Sequence, residues 1–247
     1  MSDLVISSPQ NPAVRLIRSL AEKKHRQETG LFMAEGEKVL ERARREGWEP
    51  ETLVSLEAQP HWGKARQLLA DERVMASLSA QKNASPIVAV FRQRWSRDVT
   101  PNGTWLALED LRDPGNLGTI IRTADAVGAR GIILAGQSCD PFGPDCVRAT
   151  MGSIFGVPLI RMTAAELIST CKSWPGEVAG THLNGSTDYR RAYGSPTLIV
   201  LGSEGKGLSP EVAAACATLV RIPMKGGPES LNVAIAAGLM LYEAVKP

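Results

Sequence analysis

Cysteine, histidine and aromatic side chains are all scarce in this chain. Its four cysteines, Cys139, Cys146, Cys171 and Cys216, include no CxxC pair, and its three histidines, His25, His61 and His182, lie far apart. That spacing offers neither a zinc site nor a disulfide framework, so the expectation is no metal and reduced thiols in a cytoplasmic protein. No run approaches the roughly 18 apolar residues of a membrane helix, so no membrane partner is expected. The opening Met1-Ser2-Asp3-Leu4-Val5 has no basic segment followed by an apolar core, and no secretion signal is expected there. Charge of one sign is lacking as well, since the formal net charge is only +2.

What remains is ordinary globular composition, with 43% apolar and 22% charged residues. At 247 residues the chain fits one large domain or two modest ones with real cores. The small net charge is unevenly spread. Residues 1–100 hold 16 Lys+Arg against 13 Asp+Glu, and the remainder holds 12 against 13. The first part carries three basic clusters, Lys23-Lys24-His25-Arg26, Arg42-Ala43-Arg44-Arg45 and Arg92-Gln93-Arg94. Each reads either as a phosphate contact or as a solvated helix face.

The pattern along the chain divides it near residue 100. In the first part, Asn11-Pro12 opens a helix that sets Val14, Ile17 and Leu20 near one face. Leu31–Ala34, Thr52–Ser55 and Ile87–Val90 read as strands, with a helix from Lys38 to about Glu46 stopped by Gly47. Pro101-Asn102-Gly103 is turn chemistry and marks a linker. Beyond it, strands are expected at Trp105–Leu108, Gly131–Leu134, Pro158–Arg161, Glu177–Thr181, Thr197–Leu201 and Thr218–Ile222. Helices are expected between them at about 117–127, 142–155, 164–173, 187–192 and 209–216, and from about Glu229 to Val245. That alternation predicts a mostly parallel sheet with helices on both faces, whose ligands sit outside the strands' carboxyl ends.

Three segments follow expected strand ends. In Asp113-Pro114-Gly115-Asn116, continuing to Arg122-Thr123-Ala124, Asn116 reads as a helix cap, and Arg122 lies about 9 Å further along the axis. Its long side chain can reach back toward the helix start; a plain cap with a surface arginine is the alternative. In Leu201-Gly202-Ser203-Glu204-Gly205-Lys206-Gly207, glycines after an apolar strand let backbone approach a ligand, yet neither GxxxxGK[ST] nor GxGxxG spacing is present. In Ile222-Pro223-Met224, continuing to Ser230-Leu231-Asn232-Val233, the Ser-Leu-Asn opens a long apolar helix and serves as a cap or as ligand contacts. That helix is apolar nearly all round and must be buried on more than one side.

Taken together and in this order, DPGNLGTIIRTA, LGSEGKGLS and IPM…ESLNVAIAAG resemble the motifs of the SpoU (TrmH) family of RNA ribose 2′-O-methyltransferases, over about residues 104–245. FMAEGEKVL, from Phe32, resembles the FxxEGxxxV of that family's N-terminal substrate-binding domain. The resemblance implies an α/β protein: a small N-terminal RNA-binding domain at 1–100, and a parallel α/β domain at 104–247 closed by a C-terminal trefoil knot. It implies S-adenosylmethionine as cofactor, RNA (ribosomal or transfer) as substrate and a homodimer.

The family pattern carries over to Asn116, Arg122, Glu204, Ser230 and Asn232 as the catalytic set. It assigns the cofactor to Thr181, Leu201, Gly202, Ser203, Glu204, Gly205, Ile222, Pro223, Met224, Ser230, Leu231 and Asn232. A guanidinium does not readily lose a proton, so the positioning of phosphate and ribose is the expected work of Arg122. Arg148-Ala149-Thr150-Met151-Gly152 stands where many members have RAS-x-G, and Thr150 keeps the hydroxyl. A non-catalytic RNA-binding relative is the alternative, against which the intact catalytic set argues.

Overall fold

The computed structural model describes residues 5–79, 84–226 and 230–245, which divide into two compact units. The first takes Met1–Arg94 together with Asp140–Gly156, and the second takes Trp95–Cys139 with Val157–Pro247. The stretch 140–156, expected in the catalytic part, therefore packs with the N-terminal one. It does so through side chains that local patterning does not reveal.

The first unit is built on a four-stranded sheet ordered β1-β4-β2-β3, formed by β1 (Leu31–Glu35), β2 (Thr52–Ser55), β3 (Arg66–Leu69) and β4 (Ile87–Arg92). β4 runs antiparallel to both β1 and β2, and β2 pairs parallel with β3. Helix α1 (Pro12–Ser19) starts where Asn11 accepts a hydrogen bond from the Ala13 N–H and Pro12 takes the first turn. It packs with α4 (Glu72–Leu78) over one sheet face, around Val14, Ile17, Val74, Val88 and Val90. On the other side the scarce aromatics converge. Of the four phenylalanines, Phe32, Phe91 and Phe155 pack edge-on around Trp48 at centroid separations of 5.1–6.2 Å, Phe142 packs against Phe32 at 4.8 Å, and Trp62 joins them through Phe91. Two of the four come from 140–156.

Between α1 and β1 lies α2 (Lys23–Thr29), ended by Gly30 in the left-handed region at φ 67°. The basic cluster on this helix is partly structural. Arg26 is only 4% exposed, donates to Asp140 at 2.9 Å and to the Leu20 and Ala21 carbonyls at 2.8 Å, and so fixes the inserted stretch. The second cluster lies on α3 (Glu37–Arg45), where Arg42 pairs with Glu46 and Arg45 with Glu41 one turn apart. Arg44 and Arg94 lie over the rings of Trp62 and Trp48. α6 (Pro144–Ala149) and a 3-10 turn at Ser153–Phe155 replace the single helix expected over 142–155. The break falls at Met151 and Gly152, both with positive φ, at 51° and 95°.

The second unit is a seven-stranded sheet ordered β7-β6-β5-β10-β8-β11-β9, parallel throughout. Its strands are β5 (Thr104–Glu109), β6 (Gly131–Ala135), β7 (Leu159–Met162), β8 (Glu177–Thr181), β9 (Thr187–Asp188), β10 (Thr197–Leu201) and β11 (Thr218–Arg221). α5 (Pro114–Ala126) and α9 (Val233–Ala244) pack against each other, with α9 also on β10. α7 (Ala164–Ser173), started by a Thr163–Glu166 capping box, lies with α8 (Pro210–Ala215) over a separate core that includes Ala107, Ile133, Leu167, Val200 and Val212.

The expected helix at 187–192 is instead β9 and a turn. Thr187 and Asp188 pair with β11, and the Asp188 carboxylate accepts from the backbone and guanidinium of Arg190. The first-motif helix is capped by Asp113, which accepts from the Asn116 N–H, so Asn116 stands one turn inside it.

The position of β9 carries the topology. β11 lies between β8 and β9, although β9 follows β8 by only six residues. The step from Thr181 to Thr187 therefore crosses over β11. Gly185 sits at that crossing, where an added Cβ would come within 2.7 Å of the Val220 carbonyl carbon. The chain after β11 thus passes through the loop formed by 182–196. This is the knotted α/β arrangement, otherwise essentially absent from proteins.

Candidate active site

The threading brings three loops together at the carboxyl ends of β8, β10 and β11. They wall a cavity of about 360 Å³. From the sequence-derived set, Thr181, Leu201, Gly202, Ser203, Glu204, Gly205, Ile222, Met224, Ser230 and Leu231 line it, whereas Pro223 and Asn232 do not. Pro223 stands between two wall residues. Asn232 has turned into the cap of α9, its side-chain oxygen accepting from the Ala234 N–H at 2.8 Å.

Gly202 and Gly205 serve different ends. A Cβ at Gly202 would overlap the Gly207 backbone, so the loop folds back on itself only over a glycine. The loop is closed by reciprocal backbone hydrogen bonds between Ser203 and Gly207, at 3.0 and 3.1 Å. At Gly205 nothing lies within 4 Å of the Cβ position. Beneath the loop, the buried Glu109 carboxylate accepts from the Ser209 N–H at 2.8 Å and its hydroxyl at 2.6 Å. This anchors the start of α8 to the end of β5. The only outward sign of Glu109 in the sequence is a carboxylate closing an apolar strand.

The three motifs meet through side-chain amides. The Asn232 amide donates to the Asn116 side-chain oxygen at 2.9 Å, and the Asn116 amide donates to the Glu204 carboxylate at 3.2 Å. A cap from the third motif, a helix residue from the first and a carboxylate from the second form one continuous chain. Arg122 is exposed on α5 and, among the described residues, makes no hydrogen bond or ion pair, so its guanidinium does not fold back onto Asn116. Ser230 is exposed at the cavity wall.

Sequence reading missed the crossing loop. His182, Leu183 and Asn184 line the cavity, with Lys206, Gly207, Val220, Arg221, Val233 and Ala236. The His182 ring accepts the Asn184 N–H at 3.1 Å, which holds the turn. No local signal places this loop there, because it arrives by crossing over a strand made later in the chain. Behind the wall, the Cys216 thiol donates to the Val212 carbonyl at 3.3 Å. Its interaction with the neighbouring Cys171 thiol lowers Cys171 from the ordinary thiol range and, with burial, raises Cys216.

The cavity also fits the cofactor expected from the sequence. Among the described residues, the backbone N–H groups of Ile222 and Met224 have no partner and stand on the wall, as a nucleoside base edge requires. Glu204, Ser203 and Ser230 add polar side chains around an otherwise apolar recess.

A threaded parallel sheet with such a recess at its carboxyl ends defines the α/β-knot methyltransferases. The chain belongs to the SpoU rRNA methylase family, whose model matches residues 103–242, and an MRM3-like substrate binding domain matches residues 11–89. It is 33% identical to an uncharacterized tRNA/rRNA methyltransferase of Synechocystis sp., over 97% of this chain and 92% of that protein. It is 32% identical to the 23S rRNA (uridine(2479)-2′-O)-methyltransferase of Streptomyces viridochromogenes, over 92% and 86%. Among solved structures, the AdoMet-bound rRNA methyltransferase from Sinorhizobium meliloti superposes with a TM-score of 0.91, at 43% identity over 97% of this chain and 96% of that one.

Proposed function

We propose that this protein transfers the methyl group of S-adenosylmethionine to a ribose 2′-hydroxyl of structured ribosomal or transfer RNA. The observation that carries the reading is the cavity itself, formed by the second and third motifs and tied to the first through Asn232, Asn116 and Glu204. The family, and the 23S rRNA 2′-O-methyltransferase activity of the Streptomyces viridochromogenes relative, support the same reaction.

The cofactor is held by the loop 201–207 and by Ile222–Met224, with Thr181, Ser230 and Leu231 completing the wall. When bound, it supplies a methyl group on a cationic sulfonium. The attacking ribose oxygen becomes anionic as it loses its proton, so charge is annihilated in the transition state and a water-poor recess favours the change. Arg122, with its planar fork and no partner among the described residues, holds the RNA phosphate and the 2′-oxygen in line. Ser230 and that phosphate take part in removing the proton, since the guanidinium cannot accept one. Asn116 and Asn232 fix the ends of the two helices on either side, and Glu204 orients the loop.

A homodimer in the cytoplasm is part of this reading. Ile235 and Tyr242, seven residues apart, are exposed apolar side chains on one side of α9, a surface that a symmetric pair would bury. The four free cysteines suit a reducing compartment. The decisive test is ribose-methylation mapping of total RNA from cells with and without the gene, together with transfer of labelled methyl to the affected RNA by the purified protein. No lost 2′-O-methyl group and no transfer would refute it.

A further inference from the structure

The arginines of the three basic clusters do not share one fate. Arg26 is buried against Asp140, Arg42 pairs with Glu46, Arg45 with Glu41 and Arg92 with Glu51, so a carboxylate neutralises each. Arg44 and Arg94 differ. Both are exposed, and among the described residues neither makes an ion pair. An indole holds each of them instead. The Arg44 guanidinium lies 4.7 Å from the centroid of the Trp62 ring, and that of Arg94 lies 4.1 Å from the centroid of Trp48.

The two arginines belong to one surface of the first unit. The Trp62 indole N–H donates to the Trp48 carbonyl at 2.9 Å, and both rings pack against Phe91. The arginines also meet at Gly47. Its N–H donates to the Arg44 carbonyl at 3.1 Å, and its own carbonyl accepts from the Arg94 guanidinium at 3.5 Å. Trp48 and Trp62 are only 7% exposed, so the arginines, and not the rings, meet solvent. A guanidinium carries five donors in a rigid fork. Arg44 directs one to the Pro60 carbonyl at 3.4 Å and Arg94 one to Gly47, both at long range, and the rest of each fork is open. Contact with the ring limits the motion of a long side chain, which lowers the entropy lost when a ligand orders it.

We propose that Arg44 and Arg94 form a clamp for the sugar–phosphate backbone of the RNA substrate, each taking a phosphate. The proposal rests on RNA being the substrate and adds which groups of the first unit hold it. A phosphate supplies both things these side chains lack, a negative charge and acceptor oxygens spaced for a planar fork. A base stacked on the outer guanidinium face would leave the charge and the donors unmatched. Phosphate contacts fix register and orientation and carry no sequence information, so the clamp holds different sequences alike. The neighbouring Arg42, Arg45 and Arg92 add little net charge, since each already faces a carboxylate.

The test uses the full-length protein and two fluorescein-labelled RNA stem–loops of unrelated sequence, with binding read by anisotropy over a range of potassium chloride concentrations. Arg44→Gln and Arg94→Gln should each lower the slope of log affinity against log salt by about 1, and together by about 2, equally on both RNAs. Arg44→Lys with Arg94→Lys keeps the charge without the fork, so it should hold the slope and still weaken binding. Arg15→Gln with Arg18→Gln removes the same charge from exposed positions on α1, over the opposite sheet face, and should leave the slope unchanged. All variants should keep the wild-type affinity for S-adenosylmethionine by calorimetry, which separates a lost contact from a lost fold. An unchanged slope in the Arg44/Arg94 glutamine pair, an equal loss in the α1 pair, a loss confined to one RNA, or full affinity in the lysine pair would each overturn the proposal. Failure of the underlying reading is seen separately, as a wild type that binds neither RNA at any salt concentration.

Discussion

The side-chain amide of Asn232 donates to the side-chain oxygen of Asn116 at 2.9 Å, joining two residues 116 positions apart. Asn232 also caps α9, and Asn116 also holds Glu204, so neither helix start can move without the other. Asn116→Ala should therefore lower kcat by up to about 100-fold, the scale of a misplacement near 1 Å. The KM for S-adenosylmethionine should change far less. Steady-state methyl transfer decides it, and a variant altered only in cofactor KM would place Asn116 in the cofactor site instead.

Arg122 stands outside that chain and is exposed. Arg122→Ala should abolish methyl transfer with little change in cofactor affinity by calorimetry. Arg122→Lys should fail as well, because a point charge does not reproduce a planar fork. Near-normal turnover by the lysine variant would remove the positioning role.

The two loop glycines separate folding from binding. Gly202→Ala drives a methyl group into the Gly207 backbone and should lower Tm as well as cofactor affinity. Gly205→Leu adds bulk where nothing lies within 4 Å, so it should leave Tm nearly unchanged while weakening cofactor binding. Thermal melts paired with calorimetry distinguish them, and full affinity in a stable Gly205→Leu protein would place the cofactor elsewhere.

For the proposed dimer, the informative positions are Ile235 and Tyr242, 56% and 59% exposed, and not Met240, which is fully buried on the inner side of α9. Ile235→Glu with Tyr242→Glu should halve the mass seen by light scattering at low micromolar concentration and leave the monomer folded. A wild-type monomer with full activity would refute the dimer.

The pair Arg26–Asp140 is nearly excluded from solvent. Arg26→Met strands the carboxylate and should cost about 3–5 kcal/mol in urea unfolding. A loss under about 1 kcal/mol would mean that surface-type screening prevails there.

Much of the second unit was legible because its elements carry their own punctuation. β8, β10 and α7 occupy the expected residues, each bounded by turn or capping chemistry. β3 was not, since Arg66–Leu69 shows no alternation and is a strand only by pairing with β2. β9 is two residues long and exists only beside β11. The site's members were readable one motif at a time, but the amide chain from Asn232 to Glu204 and the arrival of His182–Asn184 at the cavity depend on threading. The packing of 140–156 with the first unit likewise rests on Arg26, Phe142 and Phe155, which meet distant partners.

The crossing at Gly185 has a consequence for the order of events during synthesis. The walls at Ile222–Met224 and Ser230–Leu231 belong to the segment that passes through the loop 182–196, so they are in place only after that passage. A nascent chain halted before β11 owns every residue of the first motif and the glycine loop, yet has no recess to fill. Cofactor capture is thus a report on chain passage, and the protein cannot become competent by degrees while it is being made.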